Sequence, residues 1–293
     1  MSEGLIDAAW RAAHPLPDLG DGMDKNARGQ GLIVGGSASV PGALLLTGEA
    51  MLRTGAGKVR LATVDRAAIG VGVAFPEAAV VALPADEDGE IDASAATLLA
   101  RHLEHCDALI LGPGMIERQQ AAELVEKLLD SVAPATSILL DAGALTALRG
   151  KRAVPRALEQ PVVMTPHHGE LARLTGIDED VVTRDPAKAA TETAAAFGTI
   201  IALKAAETVI ADGHGRLLLY SSDAPGLGTA GSGDVLAGII GGLLARGVDP
   251  FVATAWGVWL HGEAGKAAAT TIGPVGFLAR DLPRHLPRLM ASQ

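Results

Sequence analysis

Short runs of aliphatic residues alternate along the chain with longer segments in which apolar residues recur at helical spacing. The strand-like runs are residues 32–34, 59–64, 79–83, 108–111, 138–140, 162–164, 200–203 and 208–211. Segments rich in alanine and leucine, such as 42–54 and 187–197, lie between most of them. Because polar residues do not break the strand-like runs and helices separate them, the pattern predicts a mostly parallel sheet covered by helices on both faces.

The last third of the chain departs from this alternation. Residues 203–222 contain consecutive strand-like runs around a turn at 212–215, which predicts an antiparallel edge of the sheet. Two long apolar helices are predicted after it, at 235–246 and 250–269. Residues 1–28 are polar and interrupted by glycine and proline. We therefore expect an N-terminal arm at 1–28, followed by a single α/β domain at 29–293.

Composition limits the function classes. The chain has 293 residues, of which 48% are hydrophobic and 20% charged, so it can bury the core of one sizeable domain. A formal net charge of −10 argues against nucleic acid or an anionic membrane as a partner. The single cysteine, Cys106, excludes an internal disulfide and fits a reducing compartment. The longest apolar run, 235–245, is shorter than the ~20 residues of a membrane span, and we expect a cytoplasmic protein.

A glycine-rich turn at 228–234, Gly-Thr-Ala-Gly-Ser-Gly-Asp, leads directly into one of the apolar helices. Unpaired N–H groups and the positive end of a helix dipole meet at such a point, which therefore binds phosphate. Asp234 adds a negative charge there, as a base would when it takes a proton from a hydroxyl that attacks a phosphoryl group. The alternative is an ordinary helix start in which Asp234 stabilises the first turn.

Polar and glycine-rich clusters follow five of the predicted strands. They are residues 35–37, 112–114, 141–143 and 165–170, together with Lys204. Each cluster alone is compatible with ordinary turn chemistry. Because the carboxyl ends of parallel strands meet at one edge of a sheet, where ligands bind, the five clusters together predict a nucleotide-processing crevice.

The motifs together resemble one known family. In order they are Pro-Gly-Ala at 41–43, Arg-Thr-Gly-Ala-Gly at 53–57, Gly-Pro-Gly at 112–114, Leu-Asp-Ala at 140–142, Thr-Pro-His-His-Gly-Glu at 165–170, Leu-Lys at 203–204 and Ala-Gly-Ser-Gly-Asp-Val-Leu-Ala-Gly at 230–238. The set resembles the ADP-dependent NAD(P)H-hydrate dehydratases, in their stand-alone bacterial form, over roughly residues 25–290. This resemblance implies a three-layer ribokinase-like fold.

The resemblance also implies a repair reaction. Hydrated NADH or NADPH carries a hydroxyl at C6 of the reduced nicotinamide ring, and the family removes it from the S epimer. The hydroxyl is first phosphorylated by ADP, which becomes AMP, and phosphate is then eliminated. ATP is a possible donor, Mg²⁺ is expected with the nucleotide, and a homotetramer is implied.

Roles for individual residues follow from the same resemblance. Asp234 matches the base, and Gly231, Ser232 and Gly233 would supply N–H groups to the transferring phosphoryl. The residues that would bind the hydrated dinucleotide are Ala43, Gly114, His167 and Asp234. The residues that would bind the donor nucleotide are Lys204, Ala205, Ala206, Glu207, Thr208 and Gly233. His167 could instead be a loop histidine bonded to the backbone, and the sequence identifies no metal ligands.

One segment departs from the family pattern. Relatives often have glycine after Lys204, where this chain has Ala205, and alanine excludes some backbone conformations that glycine adopts. Glu207 adds a negative charge near the expected phosphate site. Both differences put the affinity for the donor nucleotide in question.

Two other functions remain open from the sequence. A small-molecule kinase of the same fold, acting on a vitamin-precursor alcohol, would use Asp234 in the same way and release a stable phosphate ester. A non-catalytic nucleotide-binding module would use the glycine-rich turn without Asp234 as a base. A hydride-transferring dehydrogenase fits poorly, because residues 35–37 lack a full Gly-x-Gly-x-x-Gly fingerprint.

Overall fold

A computed structural model describes residues 3–18, 24–116 and 119–291 of the chain; residues 1–2 and 19–23 of the expected arm, and 292–293, lie outside the described residues. The strands are β1 (Glu3–Leu5), β2 (Gln30–Val34), β3 (Lys58–Val64), β4 (Ala79–Leu83), β5 (Ala108–Leu111), β6 (Ser137–Leu140), β7 (Val162–Met164), β8 (Ile200–Leu203), β9 (Glu207–Ala211) and β10 (Leu217–Ser221).

The helices connect these strands and follow the last of them. They are α1 (Ala8–Ala13), α2 (Ala43–Arg53), α3 (Asp65–Ala74), α4 (Ala95–Leu103), α5 (Gln119–Leu129), α6 (Gly143–Thr146), α7 (Ala153–Arg156), α8 (His168–Thr175), α9 (Glu179–Arg184), α10 (Pro186–Phe197), α11 (Ser232–Ala245), α12 (Pro250–Thr271) and α13 (Leu286–Ala291), with 3₁₀ turns at Pro225–Leu227, Ala279–Asp281 and Pro283–His285. None of the helices in the described ranges is both long and apolar enough to cross a membrane.

All ten strands form one sheet in the order β1-β10-β9-β8-β7-β6-β5-β2-β3-β4. Neighbouring strands are parallel except where β9 pairs with β8 and with β10. The predicted parallel sheet and its antiparallel edge are therefore confirmed. The sequence did not predict β1, which adds to β10 in parallel and takes the outermost position.

Two hydrophobic cores lie on opposite faces of the sheet. Leu32 and Val34 of β2 face one core together with α4, α5 and α10, whereas Ile33 faces the other together with α2, α11 and α12. The inner strands β5 to β8 alternate in the same way, which is the two-residue period of a strand buried on both sides. The result is the expected three-layer arrangement of helices, sheet and helices.

The described part of the expected N-terminal arm packs against the domain. Besides the pairing of β1 with β10, Trp256 of α12 donates its indole N–H to the carbonyl of His14 at 2.7 Å. Arg246 donates to the carbonyl of Pro17 at 2.9 Å, and the guanidinium of Arg11 lies 4.1 Å from the ring centroid of Trp259. These contacts involve residues about 240 positions away, so pattern analysis of the first 28 residues alone could not show them.

The chain reverses its direction of progress across the sheet between β2 and β5. Strands β3 and β4 extend to one side of β2, while β5 to β8 extend to the other. At this switch point the loops after the two strands meet, and the N–H of Gly36 donates to the carbonyl of Pro113 at 2.7 Å. A crevice for ligands is expected outside the carboxyl ends of the strands at such a point.

Helix α11 reaches the switch point because it packs closely on α2. A methyl group on Gly238 of α11 would lie 2.2 Å from the carbonyl oxygen of Thr47 and 2.8 Å from Cβ of Ala50. Both distances are too short for a carbon atom, so the two helix backbones can approach to this degree only with glycine at this position. The contact sets how far the glycine-rich turn projects over the sheet edge.

We predict that Gly238→Ala lowers the free energy of unfolding by about 1–3 kcal/mol, because the added methyl forces α2 and α11 apart. Urea unfolding followed by circular dichroism measures the change. The matched control is Gly70→Ala in α3, where an added methyl meets open space. Removing a helical glycine there should stabilise the protein by about 0.5–1 kcal/mol. Equal stability of Gly238→Ala and the unmodified protein would contradict the packing argument.

Candidate active site

Helix α11 begins at Ser232, three residues before the predicted start at Val235, and this places Asp234 inside its first turn. The helix is capped by Gly231, whose φ of 85° lies in the left-handed region that glycine adopts without strain. A side chain on Gly231 would also collide with Leu46 of α2, at 2.5 Å. Within the described residues, the N–H groups of Gly231 and Gly233 have no protein acceptor.

The backbone of Ser232 differs from the expectation. Its N–H donates to the carbonyl of Thr229 at 3.2 Å, because the chain closes a tight turn immediately before the helix. The N–H of Ser232 thus already has an acceptor in this structure, and its contact with a transferring phosphoryl group stays a prediction. Gly231 and Gly233 keep the predicted free N–H groups, and Ser232 offers only its hydroxyl.

The carboxylate of Asp234 has a pKa well above the usual value for an aspartate. Burial, together with the neighbouring negative charge of Asp141, raises its pKa to about 7, while Lys204 opposes the shift. Glu170 adds a smaller effect in the raising direction. A carboxylate with a pKa near neutrality is an effective general base at physiological pH, because it accepts a proton readily and is still substantially ionised.

Lys204, at the end of β8, joins the ends of three neighbouring strands. Its ammonium lies 2.8 Å from Oδ1 of Asp141 after β6 and 3.6 Å from Oε2 of Glu170 after β7. The Thr165 hydroxyl also donates to Asp141, at 2.8 Å. Burial opposes the charge of Lys204, but the two carboxylates outweigh it and raise the pKa of the lysine. The lysine is therefore charged.

The lysine also lies beside the start of α11. A methyl group on Gly233 would be 3.4 Å from Nζ of Lys204 and 3.9 Å from Oδ2 of Asp141. One ammonium, the free N–H groups of the helix start and the Asp234 carboxylate thus occupy one small region. Donors of this kind stabilise the negative charge of a transferring phosphoryl group.

A cavity of about 610 Å³ opens beside this region. Its described lining residues are His167, Lys204, Ala205, Ala206, Thr208, Tyr220, Ser222, Ala224, Pro225, Leu227, Gly228, Thr229, Ser232, Gly233, Leu236, Val258, His261 and Gly262. The volume and the mixture of apolar walls with a few polar groups are typical of small-ligand sites. Six of the residues predicted to bind either the donor nucleotide or the substrate line it, with Ser232 as a seventh.

The two departures from the family pattern have local explanations. Among the described residues other than glycine, only Ala142 has a positive φ, so Ala205 does not occupy a conformation that requires glycine. Glu207 is exposed at the start of β9, where its carboxylate accepts a hydrogen bond from the Ser221 hydroxyl at 3.0 Å. Of the predicted nucleotide-binding segment, Glu207 is the residue that does not line the cavity.

His167 begins helix α8 as its N-terminal cap. Its Nδ1 accepts from the N–H groups of Gly169 and Glu170, at 3.1 and 3.3 Å, and its own N–H donates to Oε2 of Glu170 at 2.8 Å. One ring nitrogen of His167 is therefore bonded to the backbone, as in the alternative interpretation of this residue. Because half of the side chain is exposed and it lines the cavity, a ligand contact through the other edge of the ring is also available.

Ala43 and Gly114 form a separate pair at the switch point between β2 and β5. A methyl group on Gly114, whose φ is +71°, would lie 2.9 Å from Cβ of Ala43 and 2.6 Å from the carbonyl of Val40. A side chain at position 114 would therefore collide with the backbone of Val40 and with Ala43. The pair lies near the start of α2, the helix that also contacts Gly231 through Leu46.

Sequence analysis missed three residues that complete the site: Asp141 and Glu170 as partners of Lys204, and His261, which contacts Ser232. The motifs at 140–142 and 165–170 contained the two acids but gave them no role. The motifs did not include His261. In the described ranges, no group of three or more acidic, histidine or cysteine side chains is arranged to hold a metal ion.

Comparison with known proteins adds independent evidence. A family model described as NAD(P)H-hydrate dehydratase matches residues 31–288. The ADP-dependent (S)-NAD(P)H-hydrate dehydratase of Xanthomonas campestris pv. campestris is 44% identical over 288 residues, which cover 97% of this chain and 95% of that protein.

Solved structures show the same similarity. The ADP/ATP-dependent NAD(P)H-hydrate dehydratase of Bacillus subtilis, co-crystallised with ATP and Mg²⁺, superposes with a TM-score of 0.85 at 31% identity and covers 100% of this chain and 99% of that one. A ribokinase-like superfamily protein of Enterococcus faecalis superposes with a TM-score of 0.79 at 26% identity, with 94% and 92% of the chains covered. The expected ribokinase-like fold is thereby confirmed.

The raised pKa of Asp234 predicts a pH-dependent cost to stability. The folded protein binds the Asp234 proton more tightly than the unfolded chain, so stability from this group is present below about pH 4 and is lost as the pH rises through about 7. Asp234→Asn should therefore raise the free energy of unfolding at pH 8 by on the order of 2–4 kcal/mol, and by almost nothing at pH 4. Urea unfolding at both pH values measures the difference.

The control for this measurement is Asp130→Asn, at an exposed carboxylate after α5. The free energy of unfolding of Asp130→Asn should differ from that of the unmodified protein by the same amount at both pH values. If the difference in free energy of unfolding between Asp234→Asn and the unmodified protein did not change with pH, the charge of Asp234 would not be destabilising as we infer.

Proposed function

The chain belongs to the NAD(P)H-hydrate dehydratase family, and we propose that it dehydrates the S epimer of hydrated NADH and NADPH with ADP as the phosphoryl donor. The products are the reduced dinucleotide, AMP and phosphate. The observation that carries the proposal is Asp234: a partly buried carboxylate with a pKa of about 7, in the first turn of a helix whose glycine-rich start lines a nucleotide-sized cavity.

The chemistry requires activation because hydroxide is a poor leaving group. Asp234 takes the proton of the C6 hydroxyl as its oxygen attacks the terminal phosphorus of ADP, and AMP leaves with the electron pair of the broken P–O bond. The electron pair of the ring nitrogen then expels phosphate from C6. Loss of a proton from C5 restores the double bond of the dihydropyridine. The protein therefore supplies a base, charge stabilisation and alignment.

The cavity is the proposed site of the donor nucleotide. Residues 204–206, Thr208 and Gly233 line it, and Lys204 places a positive charge beside the free N–H of Gly233. Removing one such donor to a transferring group typically costs on the order of 3–4 kcal/mol in barrier. For Glu207 we propose only a backbone contact with the nucleotide, because its carboxylate accepts a hydrogen bond from the Ser221 hydroxyl.

The hydrated dinucleotide is proposed to bind on the other side of Asp234. The small residues Ala43 and Gly114 lie at the switch point, and His167 lies at the cavity wall with half of its side chain exposed. In this arrangement Asp234 stands between the two substrates, where a base for the C6 hydroxyl must be.

Mg²⁺, a homotetramer and a cytoplasmic location complete the proposal. Because the described residues offer no cluster of metal ligands, Mg²⁺ would enter with the nucleotide phosphates and keep water ligands. An apolar surface suited to self-association lies on α3, where Ile69 and Val73 are 82% and 78% exposed. The apolar helices α11 and α12 are largely buried within the domain.

The kinase alternative has less support. The family model and the 44% identical relative both carry the dehydratase description. A kinase would also use Asp234 as a base, so substitution of Asp234 would abolish either activity. The two functions are distinguished by their products.

The decisive experiment incubates the protein with hydrated NADH and either ADP or ATP. We expect dihydronicotinamide absorbance to return and orthophosphate to appear, with ADP as the better donor. Asp234→Asn should lower kcat by about 100- to 10,000-fold, the contribution of a general base. Its affinity for ADP should stay within about tenfold, or 1.4 kcal/mol. Asp130→Asn is the matched control and should retain full activity.

Recovery of the absorbance by Asp234→Asn at the rate of the unmodified protein would refute the role of the base. Accumulation of a phosphate ester of another alcohol, without return of the absorbance, would support the kinase instead.

The pH dependence of the reaction gives a separate test. Because Asp234 must be ionised to accept a proton, kcat/KM should rise with pH through an apparent pKa of about 7 and then level off. Initial rates between pH 5 and 9 at low hydrate concentration measure this. A profile that is flat over this range would contradict Asp234 as the base in the free enzyme.

A further inference from the structure

His261 of α12 contacts the start of α11 at Ser232. Its Nε2 lies 2.9 Å from the hydroxyl oxygen of Ser232 and 3.0 Å from the carbonyl oxygen of the same residue. The two residues are 29 positions apart, and both line the cavity proposed for the donor nucleotide. One ring nitrogen therefore faces two oxygens of one residue at the phosphate-binding turn.

These contacts determine which ring nitrogen carries the proton. Burial lowers the pKa of His261 to about 4, so the ring is neutral at physiological pH and has a single N–H. A carbonyl oxygen can only accept a hydrogen bond, and an unprotonated Nε2 at 3.0 Å would place two lone pairs against each other. The proton is therefore on Nε2, which donates to both oxygens of Ser232.

This tautomer fixes the role of the Ser232 hydroxyl. Its oxygen already accepts from Nε2 of His261, so its own hydrogen must be donated elsewhere. Within the described part of the chain, that hydrogen has no protein acceptor. The backbone N–H of Ser232 is bound to Thr229, and the side chain faces the cavity.

We propose that His261 is a positioning residue that commits the Ser232 hydroxyl to donate a hydrogen bond to the terminal phosphate of the nucleotide donor. The proposal rests on the proposed function, which places ADP in this cavity. Phosphate oxygens only accept hydrogen bonds, and a hydroxyl that is already an acceptor toward His261 presents them with a donor alone. The N–H of Ser232 is bonded to Thr229 in the turn, and the hydroxyl takes its place as a donor beside the free N–H groups of Gly231 and Gly233.

Comparison of ADP with AMP isolates this contact, because AMP lacks the terminal phosphate. Titration calorimetry should show ADP binding weakened about tenfold in Ser232→Ala, as expected for loss of a hydrogen bond to a charged group. His261→Leu should show the same loss, and the Ser232→Ala/His261→Leu double variant should be no weaker than Ser232→Ala. AMP affinity should change less than about twofold in all three. His261→Gln should recover most of the ADP affinity, because its amide N–H can occupy the place of Nε2–H.

The kinetic readout follows the same pattern. In the hydrated-NADH assay, kcat should fall by about 100-fold in Ser232→Ala, the low end for loss of one donor to a transferring group. His261→Leu and the double variant should fall by the same factor. The matched control is His105→Leu, which replaces an exposed ring after α4 that does not line the cavity. Its ADP affinity and kcat should not change, and urea unfolding of every variant reports loss of folding separately.

Additive losses in the double variant, or equal losses of ADP and AMP affinity, would overturn the proposal, because His261 would then act on the cavity as a whole. Failure of the proposed function is distinguishable. In that case the unmodified protein would not restore the absorbance of hydrated NADH, while the ADP and AMP titrations would still decide whether His261 acts through the Ser232 hydroxyl.

Discussion

The charge balance around Lys204 is the interaction on which the site depends. One partly buried ammonium lies among Asp141, Glu170 and Asp234, so negative charge is in excess. Two of the acids hold the lysine through a direct contact at 2.8 Å and a longer one at 3.6 Å, and the third keeps its proton more firmly than an ordinary aspartate. The same cluster joins the carboxyl ends of three parallel strands and adjusts the basicity of Asp234.

The charged cluster around Lys204 lies beside the glycine-rich start of α11. Close packing at Gly238 lets α11 lie against α2, and the tight turn at Gly231 aims the first-turn N–H groups at the sheet edge. Partial burial of Asp234 raises its pKa to about 7, so its ionised form favours the unfolded chain, while the same shift suits the proposed base to neutral pH. Active sites commonly carry such locally unfavourable charge, and the two large hydrophobic cores offset it.

The site therefore divides into two sides around one carboxylate. The nucleotide side is polar and preformed: Lys204, the free N–H groups and the Ser232 hydroxyl all point toward phosphate oxygens in the proposed complex. The proposed dinucleotide side has two small residues, Ala43 and Gly114, in close contact at the switch point. Preformed donors on one side and a fitted shape on the other suit a reaction in which the protein aligns two nucleotides and moves one proton.

Local signals in the sequence were sufficient to predict the fold class and to single out Asp234 as a candidate base. Unbroken apolar runs separated by helical segments predict a parallel sheet, and such a sheet places every strand end at one edge. The glycine-rich turn before an apolar helix predicts an anion site, since both features depend on neighbouring residues only. The roles of Ala43, Gly114 and residues 204–208 came from the resemblance to a family and not from local physical chemistry.

Only the tertiary structure decided which polar groups meet. Lys204 and Asp141 are 63 positions apart and His261 and Ser232 are 29 apart, so their contacts depend on strand register and on the rotation of α12 against α11. The pairing of β1 with β10 and the turn of Glu207 toward Ser221 likewise need a partner distant in sequence. Periodicity states which face of an element is apolar, but the direction of a single polar side chain follows from packing that is fixed only when the elements assemble.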